Sequence, residues 1–158
     1  GCGLLNEAIY IKESRHHCDF IGIDPIAEGN NKVYKPRSFQ FIQAIGDYLP
    51  FASESFDGVV FSSTLDHHIN PSKALEEANR ILRKEGEIYI VETVRPLDLK
   101  FISWAIRAKI FGSAIYNHFH IWAFTKNSLK NRIEKEGFKL IETEFFDTNE
   151  LFIKAIKK

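Results

Sequence analysis

Apolar and polar positions change period several times along this chain, and each change predicts an element. Leu4, Leu5, Ala8, Ile9 and Ile11 recur at helical spacing, which predicts a helix over residues 4–13. Residues 18–23 are a short apolar run closed by Asp24-Pro25, the pattern of a buried parallel strand with an acid at its carboxyl end. Gly29-Asn30-Asn31 and Pro36 predict loop, or one turn of helix, over residues 26–37. Residues 39–45 and 56–61 read as the next two strands. Asn70-Pro71 supplies a cap and a first-turn proline, after which Ala74, Leu75, Ala78, Ile81 and Leu82 keep helical spacing until Gly86 stops it. Residues 87–92 are mostly apolar and predict a central strand. Residues 97–113 predict a helix with a broad apolar face, and residues 125–136 a capped helix with Leu129 and Ile133 inward and Gly137 as its terminator. Two strands, 139–146 and 150–156, joined by a turn at Asp147-Thr148-Asn149, close the chain.

Strands alternating with helices predict an α/β fold: a doubly wound, mostly parallel sheet with an antiparallel closing strand over residues 150–156. With 158 residues and 44% hydrophobic content, one domain spanning residues 1–158 is expected. Lysine plus arginine equals aspartate plus glutamate at 21 each, so no net charge draws the chain to nucleic acid or an anionic membrane. Two cysteines, Cys2 and Cys18, make a poor disulfide framework, and the expected setting is the reducing cytoplasm. The apolar region 97–124 is interrupted by Asp98, Lys100, Arg107 and Lys109, which argues against stable membrane insertion. The sequence has no methionine and opens in a glycine turn, so an N-terminally truncated chain lacking its first central strand is expected. Such a loss would leave neighbouring strand edges unpaired and the fragment poorly stable.

Several residues carry candidate chemistry. Gly1-Cys2-Gly3 would let backbone pass close to a ligand, or would simply turn a strand into a helix. Asp24, followed by Pro25, stands where a strand-end carboxylate accepts ribose hydroxyls, in a methyl-donor or a dinucleotide site alike. Gly46-Asp47-Tyr48 forms an acidic turn ahead of Leu49-Pro50-Phe51. Phe61, Ser62, His67 and His68 end or follow the strand over residues 56–61 at the carboxyl edge, where such sheets bind ligands. Each imidazole there is either a base near neutral pH or a structural hydrogen-bonding group. His118-Phe119-His120-Ile121-Trp122 is dense in aromatic and imidazole rings, and His118 and His120 share a face if extended. Spacing alone places no third ligand beside them, and no metal is assigned.

The glycine turn, Ile21-Gly22-Ile23-Asp24 and the segment Ile45 to Phe51 before Phe56-Asp57 together resemble the class I S-adenosylmethionine-dependent methyltransferases. The likeness is to the small single-domain group with a Gly-Asp-x-x-Leu-Pro-Phe turn. It implies S-adenosyl-L-methionine as cofactor, contacted by Gly1, Cys2, Gly3, Asp24, Pro25, Gly46, Asp47, Tyr48, Phe61, Ser62 and His67. In that scheme Asp24 holds the ribose, Asp47 the adenine amine, the Tyr48 amide a ring nitrogen, and carbonyls near Phe61 and Ser62 the ammonium group. His67 and His68 become the candidate catalytic bases. His118, His120 and Trp122 become acceptor contacts in a lid over residues 97–124, whose Phe101, Trp104, Ile106, Phe111, Tyr116, Phe119 and Trp122 exceed what one helix face buries. The family's third glycine is replaced here by Leu5. The implied function is methyl transfer to a small-molecule acceptor, with a catalytically inactive binding module and a nucleotide-dependent oxidoreductase as alternatives.

Overall fold

The computed structural model describes residues 2, 18–26, 39–95 and 121–158. The helix expected over 4–13, most of the loop over 26–37, the helix over 97–113, most of the lid, and Gly1, Gly3, His118 and His120 lie outside the described residues.

Two short strands, β1 (Ile21–Asp24) and β2 (Gln40–Gln43), pair in parallel from Ile21↔Gln40 to Asp24↔Gln43. The Asp24 carbonyl accepts the Ala44 N–H at 3.1 Å, on the β2 side. Successive carbonyls of a strand point to opposite edges. The Ile23 carbonyl therefore faces away from β2, and there it accepts the Cys2 N–H at 2.7 Å. Cys2 thus adjoins the flank of β1 that faces away from β2, near its carboxyl end.

A second sheet holds β3 (Phe56–Ser62), β4 (Leu82–Thr93), β5 (Phe138–Phe145) and β6 (Glu150–Lys157) in the order β3-β4-β6-β5. β3 and β4 are parallel, and β6 is antiparallel to both of its neighbours. β3, β4 and β5 consequently run one way and β6 alone runs back, which is the mostly parallel sheet with an antiparallel closing strand expected from the sequence.

Helix α1 (Pro71–Ile81) starts where the cap chemistry predicts: Pro71 opens the first turn and the Asn70 side chain accepts the Lys73 N–H at 3.2 Å. It ends earlier than the spacing suggests. The backbone entering β3 takes its last carbonyls, with Glu54 N–H on Arg80 and Ser55 N–H on Ile81 at 3.0 and 2.8 Å. Leu82, in helical register by pattern, is extended and already pairs with Phe56. Gly58 next pairs with Glu87, so residues 83–86 loop out of the ladder. Glu85 is left-handed there (φ 61°), and a Cβ on Gly86 would lie 2.9 Å from the Arg83 carbonyl. The glycine serves a bulge inside β4 instead of stopping a helix.

Helix α2 (Lys126–Lys135) begins in a reciprocal capping box. Ser128 N–H donates to Thr125 Oγ1 at 3.1 Å and Thr125 N–H to Ser128 Oγ at 2.9 Å. Gly137, at φ 91°, follows its end. Ile88 and Ile90 of β4 and Leu151, Ile153 and Ala155 of β6 alternate inward. They join Leu65, Leu75, Ala78, Leu129, Ile133 and Phe138 in one core that the two helices cover. Among the described residues no helix is long and apolar enough to cross a membrane.

Candidate functional site

The strand ends carry the polar chemistry. Asp24 closes β1 and is buried, and its Oδ1 accepts the Ile26 N–H at 3.0 Å. A side chain bonding backbone two residues on turns the chain at Pro25. Gln43 at the end of β2 adds a bond from Nε2 to the Pro25 carbonyl at 3.0 Å.

Beyond β2, the Tyr48 N–H donates to the Ile45 carbonyl at 3.1 Å and closes the acidic turn. The amide that the family likeness gives to a cofactor ring nitrogen is therefore engaged within the turn, while the Tyr48 residue is 70% exposed. Asp47 is buried between two donors from the far side: Asn70 N–H reaches Oδ1 at 3.0 Å and His68 Nδ1 lies 2.8 Å from Oδ2. The acid after β2 is thus tied to the turn after β3.

Helix α1 holds the Leu49-Pro50-Phe51 segment. Leu49 N–H donates to Glu77 Oε2 at 2.8 Å, and Arg80 reaches the carbonyls of Phe51 and Leu49 at 2.7 and 3.0 Å while pairing with Glu77. The Arg80 guanidinium, helped by the Leu49 amide, holds the Glu77 carboxyl below its ordinary range. Neither residue stands out in the sequence, where their only signal is polar character beside the apolar stripe of a helix. Arg80→Ala should lower the free energy of unfolding by about 1–2 kcal/mol, since it strips three acceptors and leaves Glu77 short of its cation. Urea denaturation of the two proteins measures it.

At the end of β3, Ser63 takes a left-handed conformation (φ 49°), unusual for a non-glycine residue and common at functional turns. One turn of 3-10 helix, Leu65–His67, follows. Its amides are gathered by Glu92 near the end of β4. Leu65 N–H reaches Oε2 at 3.0 Å, Thr93 N–H reaches Oε1 at 3.2 Å, and Asp66 N–H donates to the same carboxyl. Glu92 is only 1% exposed, and burial first, then the nearby Asp66 charge, push its pKa up to about 7. Its one signal in the sequence is that it ends an apolar run, as Asp24 does.

The two histidines of this turn part company. The His67 side chain is 40% exposed, with Nε2 3.4 Å from Asp66 Oδ1. The His68 side chain is 9% exposed and stacks edge-on against Phe61 at 5.7 Å between centroids. A Cβ on Gly46 would stand 2.3 Å from its Cε1, so Gly46 makes room for this ring. Trp122 docks on the same turn: its Nε1 donates to the His68 carbonyl at 2.9 Å, and the Ile121 and Trp122 amides both donate to the Asp66 carbonyl. Gly46, Asp47, Phe61, His67, His68 and Trp122 are thereby brought together. Cys2, Asp24 and Pro25 gather separately at the end of β1, and Ser62 pairs with Val91. Among the described residues, no three His, Cys, Asp or Glu side chains are grouped to hold a metal.

Against this geometry stand the similarities to known proteins. A family model described as a methyltransferase domain matches residues 1–90, more than half of the chain. An uncharacterized protein of Methanocaldococcus jannaschii is 28% identical over 158 residues, with 96% of this chain and 55% of that protein covered. This chain therefore spans about half the length of that relative. A demethylmenaquinone methyltransferase of Thermotoga maritima is 23% identical, with 96% of this chain and 73% of that protein covered. Among solved structures, a SAM-dependent methyltransferase of Methanosarcina mazei aligns at a TM-score of 0.73 and 18% identity, over 99% of this chain and 89% of that one. At that identity the likeness is one of fold.

Proposed function

The chain belongs to the methyltransferase domain family and has its Rossmann-like fold, and on that premise we propose that it transfers a methyl group from S-adenosylmethionine to a small-molecule acceptor. The observation that carries this reading is the pair of buried carboxylates, Asp24 at the carboxyl end of β1 and Asp47 in the turn beyond that of its parallel neighbour β2. An adenosine moiety presents a ribose diol and an exocyclic amine, both donors, and ionised carboxylates only accept. Asp47 receives two bonds from the protein but has two oxygens with about four lone-pair directions. These acceptors fit the donors of the group.

When bound, S-adenosylmethionine supplies a methyl carbon already activated by its sulfonium. The chain's own work is alignment and exclusion of water. Asp24 and Asp47 hold the nucleoside end, and the carbonyl of Ser62, which faces away from β4, meets the ammonium. Where the acceptor must shed a proton, His67 takes it. Its ring is 40% exposed, with Nε2 3.4 Å from the Asp66 carboxylate. Trp122, partly exposed beside that turn, contributes to the acceptor side.

A small acceptor is favoured by the chain's balanced charge and by the name of the Thermotoga relative. The test incubates the full chain with methyl-labelled S-adenosylmethionine and a metabolite extract. Label should enter the small-molecule fraction and S-adenosylhomocysteine should suppress it. Label confined to macromolecules, or absent from every fraction, overturns the reading.

A further inference from the structure

We propose that His68 is a positioning residue that makes the nucleoside site select an amine-bearing base, by locking the carboxylate plane of Asp47. The inference rests on the reading above that Asp47 meets adenine.

Asp47 is anchored at both oxygens by groups from one segment, His68 Nδ1 at Oδ2 (2.8 Å) and the Asn70 N–H at Oδ1 (3.0 Å). Two anchors on different oxygens fix rotation about the Cβ–Cγ bond, which one anchor does not. The remaining lone-pair directions then point where the fold sets them. A carboxylate so fixed welcomes a donor and repels an acceptor, so the 6-amino group of adenine fits where the 6-oxo group of hypoxanthine does not.

His68 is itself immobilised on four sides. Phe61 packs against its ring, the ring occupies space left by the missing Cβ of Gly46, its carbonyl takes the Trp122 indole N–H, and its Nδ1 faces Asp47. Such a side chain has little freedom to swing toward an acceptor as a base. Histidine at this position is legible in the sequence only as one of a pair, and its direction comes from the structure.

Calorimetric titration of the full chain with S-adenosylhomocysteine and with its hypoxanthine counterpart, S-inosylhomocysteine, tests this. The wild type should prefer the adenine compound. His68→Leu, which keeps bulk but removes the donor, should weaken the adenine compound about tenfold, the usual cost of a bond to a charged group, and shrink the preference. His68→Asn places an amide nitrogen where Nδ1 stood and has no basic group, so it should restore the preference. Gly46→Ala should displace the ring and act like His68→Leu, which keeps the test alive if the leucine variant does not fold. Thermal unfolding of each variant separates folding from binding. A folded His68→Leu, or a folded Gly46→Ala, with the wild-type preference overturns the inference alone, and so does a folded His68→Asn that has lost it. If the wild type binds neither compound, or Asp47→Ala binds both as the wild type does, the nucleoside reading of Asp47 falls and takes the inference with it.

Discussion

Between pH 5 and pH 8 the chain should become less stable. Glu92 holds its proton up to about pH 7, because burial and the neighbouring Asp66 charge both disfavour its ionised form. In the unfolded chain the same group titrates near its ordinary 4.5. Between those values the folded state keeps a proton that the unfolded state has released, so raising the pH favours unfolding. The stabilisation is complete below about 4.5 and is lost as the pH passes through 7. A separation of that size corresponds to about 3 kcal/mol at most. Glu77 and Glu87 have lowered values, so their contributions disappear only in acid, below the ordinary carboxylate range, and do not mask the effect. Urea unfolding at several pH values measures the slope. Glu92→Gln cannot titrate and should flatten it, whereas an unchanged slope in that variant would remove Glu92 as its origin.

Asp24→Ala and Asp47→Ala should each weaken S-adenosylhomocysteine binding ten- to a hundredfold, or about 1.5–3 kcal/mol. The two losses have different structural companions. Asp24 also turns the chain onto Ile26, so Asp24→Asn, which keeps an acceptor oxygen for that amide, should lose affinity with little loss of stability. Asp47 also ties the acidic turn to the start of α1 through Asn70, so its alanine variant should lower the unfolding temperature as well. Calorimetry paired with thermal unfolding separates the effects. Unchanged affinity in both alanine variants would remove the adenosine assignment.

Cap and turn chemistry was the most legible part of the sequence. Asn70-Pro71 and Thr125 name their helix starts because the bonds involved span three residues. Strand direction followed from the same local logic, with Asp24 and Asp47 near strand ends where polar groups can be reached. The start of β4 was less legible. Arg83 to Gly86 reads as a helix stop, while the deciding contact is Phe56 with Leu82, remote in sequence. The site shows the same division. Its first acids were visible from the pattern of apolar runs, but Glu77, Arg80 and Glu92 act through amides and carbonyls of segments far along the chain. Nor does a His67-His68 pair say which ring faces inward. That choice depends on the empty Cβ position of Gly46 and on Phe61.

The indole of Trp122 gives this region an optical handle. Its N–H is bonded to the carbonyl of His68, so its emission wavelength responds to any shift of the turn. The chain has two tryptophans, and Trp104→Phe leaves Trp122 as the sole tryptophan, excited apart from the tyrosines at the red edge of the absorption band. Ligand arrival beside Asp47 can then be followed in real time by stopped-flow fluorescence, without a dye or a label.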